Sequence, residues 1–467
     1  MIAKSSLPKP PMNKISRVLV GNRGEIAVRI IKACKELGIS TVLAASEADR
    51  ESLPATMADK VVCIGPPLSK DSYLRPEYLV VAARGTSCDA IHPGYGFLSE
   101  RAELVELCEK SGIIFIGPTS KNIRDMGDKL AAREMARKSG VPTIPGSHKV
   151  ETVKEAVEVS KQLGFPLILK AAAGGGGRGM AIIETVSQLE QVFASLALEV
   201  YSAFGDASLF LERYFSNSRH VEVQILGDRF GNAIHLFERD CSIQRRHQKV
   251  IEEAPCPILT DEQRKGICKA ALDLAVAIGY VSCGTVEFLV DQNSRQFFFL
   301  EMNTRIQVEH PITEEVTGID LVKEQIKVAD GQPLGLSQSS ITLKGHAIEC
   351  RINAESPERN FAPCPGIVKT WNPPVRKGVR LETHCYPGYL IPPFYDSLIA
   401  KLIVKEKGRR EAVLAMQSAL QDFQVEGIQT TLPFLRAVTT HSDFTESNVS
   451  TNWLEKVFMK QFEEPAA

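Results

Sequence analysis

Four consecutive glycines at 174–177 restrict the fold of this chain more than any other local feature. They follow an apolar segment at 165–169 that leads into Lys170, and a second apolar segment comes shortly after them. This order predicts a glycine-rich hairpin and not a P-loop between a strand and a helix, because no Gly-Lys-Ser/Thr sequence closes the loop. Amides such as those of Gly176 and Gly177 can approach a phosphate without side-chain obstruction. We expect a flap that closes over a nucleotide, with a flexible hairpin tip as the alternative.

The chain length and the charge balance describe a large globular protein. A chain of 467 residues is too long for one ordinary core, so we expect about three packed units. The 55 Lys and Arg residues nearly cancel the 56 Asp and Glu residues, and no apolar run approaches the roughly 20 residues that span a bilayer. We therefore expect neither nucleic acid nor a membrane as a partner.

The N-terminal segment and the cysteines favour a cytoplasmic location. Residues 1–13 lack the apolar core of a secretory signal, and no Arg precedes Arg17, so we interpret them as a disordered extension. The 11 cysteines are scattered without a C-x-x-C pair or a zinc-binding spacing. Such a distribution is typical of a reducing compartment.

Hydrophobic periodicity divides the chain into three parts. Residues 17–45 have the pattern of a βαβ unit: a strand at 18–20, a tight turn at 21–24, a helix at 25–37 and a strand at 41–45. Similar alternation to about residue 117 predicts a parallel sheet. The turn is Gly-x-x-Gly and not GxGxxG, so a structural turn is favoured over a dinucleotide site.

Two further units follow. We predict that the second opens after residues 117–118 and that its strands are joined by turns rather than by helices. The third begins near 331–333 and combines strands at 346–353 and 397–404 with a helix at 409–423.

Two carboxylates in apolar segments indicate a metal site. The segments that flank residues 291–295 have the pattern of a β-hairpin, and a turn centred on Ser294 would place Glu287 opposite Glu301. Like charges in that arrangement destabilise a sheet unless a cation lies between them. Asn303 adds an oxygen on the face of Glu301, and an all-oxygen set of this kind suits Mg²⁺ or Mn²⁺ bound to nucleotide phosphates.

A polar segment follows the second of these strands. If the strand continues, its alternation places Arg305, Gln307 and Glu309 on the face of Asn303 and Glu301. A guanidinium beside a carboxylate can hold a small anion and remove its proton. A salt-bridged strand edge is the alternative.

Residues 238–249 form a basic cluster that includes Gln244, His247 and Lys249. The neutral total charge and the lack of interleaved aromatic residues argue against a nucleic-acid patch. We favour a loop that faces phosphate or bicarbonate. His247 has no His or Cys partner at ligand spacing, which argues against a metal-ligand role.

In this order the four features resemble biotin carboxylase from about residue 14 to residue 456. An ordered set of this kind is not shared by other ATP-grasp ligases. The motifs are GNRGEIAVRI at 21–30, IHPGYGFLSE at 91–100, GDK at 127–129, GGGGRGM at 174–180, RHVEVQ at 219–224, ERDCSIQRRHQKVIEEAP at 238–255, EMNTRIQVEHPITE at 301–314, GHAIECRINAE at 345–355 and PPFYDSLIAKLIV at 392–404.

The resemblance implies an α/β and α+β fold class. Its expected parts are the extension at 1–13, an N-terminal parallel α/β domain at 14–127, an ATP-grasp domain at 128–336 with a mobile glycine-loop lid at about 142–214, and a C-terminal α+β domain at 337–467. Three positions depart from the family pattern without loss of a chemical group: Ala173, Arg213 and Thr451.

The resemblance also implies roles for the candidate residues. For ATP these are Lys129 and Lys170 on the phosphates, Glu212 on the adenine amino group, and His220, Gln244 and His247 on ribose or phosphate. For two Mg²⁺ or Mn²⁺ ions they are Glu287, Glu301 and Asn303. For bicarbonate and biotin they are Lys249, Arg305, Gln307, Val308 and Tyr95, with Glu309 as the general base, Arg351 beside the biotin enolate and Asp396 in a nearby motif.

The implied reaction forms carboxyphosphate from ATP and bicarbonate and then carboxylates N1′ of biotin. By the same resemblance, biotin is held by a biotin carboxyl carrier protein, and a carboxyltransferase subunit passes the carboxyl group to acetyl-CoA, propionyl-CoA or pyruvate. The resemblance implies a homodimer, since Arg29 and Arg380 match interface positions, although Lys377 replaces a common aromatic residue. Another ATP-grasp carboxylate–amine ligase and a non-catalytic nucleotide-binding subunit are the alternatives.

Overall fold

The computed structural model describes residues 15–171, 179–205 and 207–463. The extension at 1–13 and the glycine run with Gly176 and Gly177 lie outside these ranges. Within the described ranges, no helix combines the length and the apolar composition needed to cross a membrane.

The N-terminal part is a parallel sheet with helices around it. Its strands are β1 Arg17–Val20, β2 Ser40–Ala45, β3 Lys60–Cys63, β4 Ala90–His92 and β5 Ile114–Phe115, and its helices are α1 Gly24–Glu36, α2 Leu53–Met57, α3 Pro76–Gly85, α4 Ala102–Lys110 and α5 Ser120–Gly127. All neighbours are parallel, in the order β3-β2-β1-β4-β5. The predicted βαβ unit and parallel sheet are confirmed. The strands are almost continuously apolar because helices cover both faces.

A small three-stranded sheet carries the glycine hairpin. Its strands are β6 Leu167–Ala171, β7 Met180–Ile183 and β8 Leu209–Arg213, and the helices of this region are α6 Lys129–Lys138, α7 Val153–Leu163 and α8 Val186–Phe204. β6 and β7 are antiparallel, as the hairpin prediction requires, and Lys170 pairs with Met180. Leu167, Leu169 and Ala171 face the core of this unit, so Lys170 lies on the opposite face of the strand.

An eight-stranded sheet forms the centre of the molecule, in the order β13-β12-β9-β10-β11-β14-β21-β19. The strands and helices of this region up to residue 353 are β9 Ser218–Gly227, β10 Ala233–Arg245, β11 Gln248–Ala254, β12 Ser282–Asp291, β13 Phe297–Asn303, β14 His346–Asn353, α9 Asp261–Ala277, α10 His310–Thr317 and α11 Leu321–Ala329. The later elements are β15 Glu355–Ser356, β16 Ala362–Pro363, β17 Gly366–Ile367, β18 Thr370–Asn372, β19 Val379–Thr383, β20 Leu390–Ile391, β21 Leu398–Glu406, β22 Gln424–Glu426, α12 Arg409–Asp422, α13 Leu432–Thr440, α14 Ser442–Thr445 and α15 Met459–Glu463.

The strand connections differ from the prediction in two places. We expected turns throughout the second unit, but α8 joins β7 to β8 and α9 joins β11 to β12. The start of α9 carries a capping box in which Thr260 and Gln263 bond each other's backbone N–H groups. This Thr-x-x-Gln signature is visible in the sequence and identifies a helix start.

Candidate functional site

Glu287 in β12 and Glu301 in β13 are direct cross-strand partners, as predicted from the hairpin. The register reaches this pairing through a bulge: Phe288 pairs with Phe299, so Leu300 is an extra residue on β13. Without the extra residue, Glu287 would lie opposite Leu300 and Glu301 would point to the other face of the sheet. The bulge therefore places both carboxylates on one face.

The two carboxyl groups differ in their electrostatic surroundings. Burial opposes the charge of Glu287, but Lys249 Nζ at 3.0 Å and His220 Nε2 at 3.2 Å hold its pKa well below the usual range. Burial raises the pKa of Glu301, and the negative charge of Glu287 adds to that shift. Asn303 Nδ2 donates to Glu287 Oε1 at 2.8 Å.

This oxygen-rich set fits a divalent cation. Glu287 and Glu301 repel each other across the hairpin, and a cation between them would relieve that repulsion. Asn303 lies beside Glu287, and its amide offers a further oxygen. Ligand atoms of His220, Glu222 and Glu287 also lie within 4.8 Å of one another. Hard carboxylate and amide oxygens are the ligands that Mg²⁺ and Mn²⁺ prefer.

The segment after β13 is not the continued strand that we predicted. β13 ends at Asn303, because Glu100 of the N-terminal part accepts the N–H of Thr304 at 3.0 Å and Arg305 Nε at 2.9 Å. The polar side chains nevertheless gather on one side. Arg305 donates to Asn303 Oδ1 at 3.2 Å and to Gln307 Oε1 at 2.9 Å, and Gln307 Nε2 donates to Glu287 Oε1 at 3.2 Å.

Glu309 is fully buried between two cations. Lys249 Nζ lies 2.6 Å from its Oε1, and Arg351 Nη2 lies 2.8 Å from its Oε2. Burial and the charge of Glu222 oppose ionisation, but Lys249, Arg351 and Arg239 hold the pKa of Glu309 below its usual value. An ionised carboxylate with cations on both sides can accept a proton from an anion bound to those cations.

Lys249 connects the metal-type carboxylates to Glu309. Its ammonium group is in ion-pair contact with Glu222, Glu287 and Glu309. Burial opposes its charge, but these carboxylates raise the pKa of Lys249 well above its usual value. The ammonium is therefore a fixed positive charge.

Sequence reasoning missed four charged residues that support this cluster: Glu100, Glu222, Arg239 and Glu252. Arg239 Nε donates to Glu222 Oε1 at 2.6 Å, and Arg351 Nε donates to Glu252 Oε1 at 2.5 Å. Glu222 lies in an apolar strand, so the criterion that identified Glu287 would have identified it too. No local pattern could have identified Glu100, which acts on Arg305 from 205 positions away.

The lysines expected at the nucleotide phosphates lie near one another. Lys170 Nζ donates to Glu212 Oε2 at 2.7 Å, and Arg133 Nη1 lies 3.8 Å from Glu212 Oε1. Lys129 is the first residue of α6. Burial lowers the pKa of Lys129, the negative charge of Glu301 opposes this shift, and the positive charge of Lys170 adds to it. The charges of both Lys170 and Glu301 therefore act on Lys129.

The three residues matched to ribose or phosphate have different surroundings. His220 lies beside Glu287 and Glu222, and these carboxylates outweigh burial and raise the pKa of His220 to about 9. Gln244 Nε2 donates to the carbonyl oxygen of Cys241 at 2.7 Å. His247 is exposed in the turn between β10 and β11, with φ of 63°.

Val308 and Tyr95 are hydrogen-bonded to the two members of a buried ion pair, Lys401 and Glu25. The carbonyl oxygen of Val308 accepts from Lys401 Nζ at 2.8 Å, and Lys401 also lies 3.1 Å from Glu25 Oε2. The hydroxyl of Tyr95 donates to the other oxygen of Glu25. Glu25, Tyr95 and Asp396 line a cavity of about 120 Å³.

Three family models match successive parts of the chain. They are the biotin carboxylase N-terminal domain at 14–123, the ATP-binding domain of the carbamoyl-phosphate synthase L chain at 128–337 and the biotin carboxylase C-terminal domain at 349–456. Biotin carboxylase 1 of Bacillus subtilis is 51% identical over 442 residues, which cover 94% of this chain and 98% of the relative.

Solved structures agree with the sequence comparison. A biotin carboxylase–β,γ-ATP complex from Campylobacter jejuni has a TM-score of 0.92 and 46% identity, with 94% of this chain and 98% of that chain covered. The biotin carboxylase domain dimer of Hydrogenobacter thermophilus 2-oxoglutarate carboxylase, in complex with MgADP, ADP and bicarbonate, has a TM-score of 0.92 and 46% identity, with 97% and 99% covered. With its sequence and its fold matched over nearly their whole length, this chain belongs to the biotin carboxylase family.

Proposed function

We propose that this chain is an ADP-forming ligase that carboxylates carrier-bound biotin with ATP and bicarbonate, through carboxyphosphate. Family membership supports the reaction, and the Hydrogenobacter thermophilus relative holds ADP, magnesium and bicarbonate. The observation that carries the proposal is the buried, ionised Glu309 between Lys249 and Arg351. Bicarbonate is a poor nucleophile, and this arrangement provides both a base and cations for it.

The first step uses the residues around Glu309. Lys249, Arg305, Gln307 and Val308 bind bicarbonate, and Glu309 removes its proton as its oxygen attacks the γ-phosphorus of ATP. The O–P bond to carboxyphosphate forms, ADP leaves, and the proton resides on Glu309. Lys249 is suited to this work because it stays charged while it touches Glu309.

The second set of residues holds the nucleotide. Lys129 and Lys170 bind the phosphates, Glu212 meets the adenine amino group, and Gly176 and Gly177 cover the site. His220, Gln244 and His247 contact ribose or phosphate in the lid-closed enzyme. The ion pair between Lys170 and Glu212 supports this proposal, because bound nucleotide can replace the partner of each residue. Phosphate would take the place of Glu212 at Lys170, and the adenine amino group would take the place of Lys170 at Glu212.

Glu287, Glu301 and Asn303 would hold two Mg²⁺ or Mn²⁺ ions, with ligand atoms that fit those metals. Bound metal would offset charge on the transferring phosphoryl group. The chain itself contributes the Leu300 bulge, which keeps both carboxylates on the face toward Lys249 and Lys129.

Arg351 and Tyr95 act on biotin in this proposal. Arg351 stabilises the enolate that develops when biotin loses its N1′ proton, and Tyr95 lines the approach near Asp396. The partners are a biotin carboxyl carrier protein and a carboxyltransferase subunit. The candidate final acceptors are acetyl-CoA, propionyl-CoA, pyruvate and 2-oxoglutarate. Biotin carboxylase parts of a 2-oxoglutarate carboxylase and of a pyruvate carboxylase are 46% and 45% identical to this chain.

We also propose a homodimer, the domain limits 14–127, 128–336 and 337–467, and a cytoplasmic location. The Hydrogenobacter thermophilus relative is a dimer. Arg29 and Arg380 border a surface cavity of about 420 Å³ and both bond Glu314, so they are held in place for a partner subunit. Sedimentation that gives only monomer at micromolar concentration would reject the dimer. All 11 cysteines are unpaired, in keeping with a reducing compartment.

The deciding experiment measures ADP and carboxybiotin in parallel, with and without bicarbonate and free biotin. Biotin carboxylation predicts that both products require bicarbonate and that biotin stimulates ADP release. A carboxylate–amine ligase would release ADP only when an amine and another carboxylate are supplied, and biotin would not stimulate that release. That result would replace our proposal with the alternative.

A further inference from the structure

A row of charged side chains crosses the sheet next to the site. On β14, Ile348, Cys350 and Ile352 face the C-terminal core, so Glu349 and Arg351 lie on the opposite face. Helix α10 packs over β11, β14 and β21. Charges beneath this helix have no water to solvate them, so each must find a partner within the protein or give up its charge.

Glu252 on β11 and Glu349 on β14 are direct cross-strand partners with no exposed surface. Directly opposed side chains of an antiparallel pair have Cβ atoms about 4.5–5.5 Å apart. Glu252 has a cation partner, because its Oε1 accepts from Arg351 Nε at 2.5 Å. Neither oxygen of Glu349 has a hydrogen-bond partner, and Glu252 Oε2 also lacks one.

The neighbouring cations do not neutralise Glu349. Lys401, fully buried on β21, is directed to the Val308 carbonyl oxygen and to Glu25 of α1, and its cross-strand partner on β19 is another acid, Glu382. Burial raises the pKa of Glu349 well above its usual value, with Lys401 and Arg351 acting against that shift and Glu252 and Glu309 adding to it. At the start of α10, burial lowers the pKa of His310, so that ring adds no positive charge.

The pKa of Glu252 is also raised, to about 7, first by burial, with Arg351 opposing and Glu309 adding to the shift. Two buried carboxylates at cross-strand distance cannot both ionise cheaply, and one shared proton removes the repulsion. Because Glu252 already accepts from Arg351, the proton belongs on Glu349.

We propose that Glu349 carries a proton and donates it in a hydrogen bond to Glu252, so that a singly charged pair positions Arg351 against Glu309. Arg351 is then fixed at two points, with Nε on Glu252 and Nη2 on Glu309. Loss of the proton would place a second negative charge beside Nε of Arg351. The guanidinium of Arg351 would then move toward the two carboxylates and away from Glu309. Glu252 and Glu349 are positioning residues. The use of Arg351 in catalysis rests on the proposed function, but the shared proton does not.

The proton is tested without substrate. Glu349→Gln keeps the shape of a protonated Glu349, and Glu103→Gln, on the exposed surface of α4, is the matched control. Infrared difference spectra of the wild-type chain should contain a carboxylic-acid C=O band at neutral pH that only Glu349→Gln removes. The same band in both variants would show that Glu349 is ionised and would overturn the proposal.

Melting temperature gives an independent measurement of the same proton. A carboxyl whose folded pKa is raised stabilises the fold below its unfolded pKa, and this contribution is lost as pH rises toward the folded pKa. The Tm of Glu349→Gln relative to wild type should therefore rise steadily as the pH increases from the unfolded carboxyl value of about 4.3 through neutrality. A constant difference across this window would overturn the proposal.

The positioning role is tested by the ratio of carboxybiotin to ADP. This ratio should fall in the wild-type enzyme at alkaline pH, and the fall should be absent in Glu349→Gln, which has no proton to lose there. Glu252→Gln removes the charged anchor of Arg351 and should lower the ratio about tenfold at neutral pH. Equal alkaline profiles for wild type and Glu349→Gln would show that the pair does not position Arg351.

Discussion

Arg239 Nε lies 2.6 Å from Glu222 Oε1, and neither side chain has any exposed surface. Arg239 also donates to Gln224 and Thr313, at 2.8 and 2.9 Å. The pair fixes Glu222, which in turn contacts Lys249. A buried ion pair at the base of the site thus determines where the ammonium group of Lys249 lies.

Arg239→Met should destabilise the fold by about 3–5 kcal/mol, because it leaves a buried carboxylate without its guanidinium partner. Urea denaturation measures the free energy of unfolding. The control is Arg137→Met, an exposed arginine paired with the half-buried Glu134 on the same helix, and it should leave the stability nearly unchanged. An unchanged urea midpoint for Arg239→Met would show that Lys249 and His220 are enough to neutralise Glu222.

Glu287→Gln and Glu301→Gln should each slow Mg²⁺-dependent ADP release about a hundredfold while the chain stays folded. Each removes one negative charge from the proposed metal site. ADP release and melting temperature are measured together, with the exposed Glu262→Gln of α9 as the control. Normal turnover of either variant in Mg²⁺ would contradict the assignment of the hairpin carboxylates to metal.

Glu309 and Arg351 should separate the two chemical steps. Glu309→Gln should lower bicarbonate-dependent ATP cleavage and carboxyl transfer together, since it removes the proposed base of the first step. Arg351→Ala should spare ATP cleavage and lower carboxybiotin about a hundredfold, from the loss of one contact to a developing charge. ADP and carboxybiotin are measured in parallel. An equal loss of both products in Arg351→Ala would place Arg351 with the bicarbonate contacts.

Glu253 should make the fold acid-sensitive. Although burial opposes its charge, His346 and Arg409 lower the pKa of Glu253 to about 2. A lowered folded pKa stabilises the fold above the unfolded pKa, and that stability is lost as pH falls toward about 2. Glu253→Gln should cost about 3 kcal/mol at neutral pH, and the cost should vanish toward pH 2. Urea denaturation at several pH values measures this, and a pH-independent cost would refute the ionic origin.

The sequence predicts those features whose physical cause is local. Glu287 and Glu301 stand out because an unpaired carboxylate in an apolar strand is costly, and the structure confirms their pairing. The βαβ unit follows from hydrophobic periodicity in the same way. The route to the pairing was not predictable, because the extra residue Leu300 leaves no signal in a run of apolar residues.

Contacts between distant segments account for most of what the sequence did not predict. The polar segment leaves the strand geometry because Glu100, in the turn between β4 and α4, accepts hydrogen bonds from Thr304 and Arg305. Lys249 lies in a basic run, yet its carboxylate partners come from β9, β12 and the start of α10. Spacing along the chain contains no information on which of many acids meet one lysine.

The pairing of β11 with β14 determines how this polypeptide can be divided. β11 ends at Ala254 and β14 begins at His346, yet their backbones are hydrogen-bonded neighbours across the middle of the sheet. A fragment that ends between these residues would expose the edge of β11 to aggregation and lose Arg351. Split versions of the enzyme, expressed as two complementing pieces, should therefore reassemble poorly when cut there.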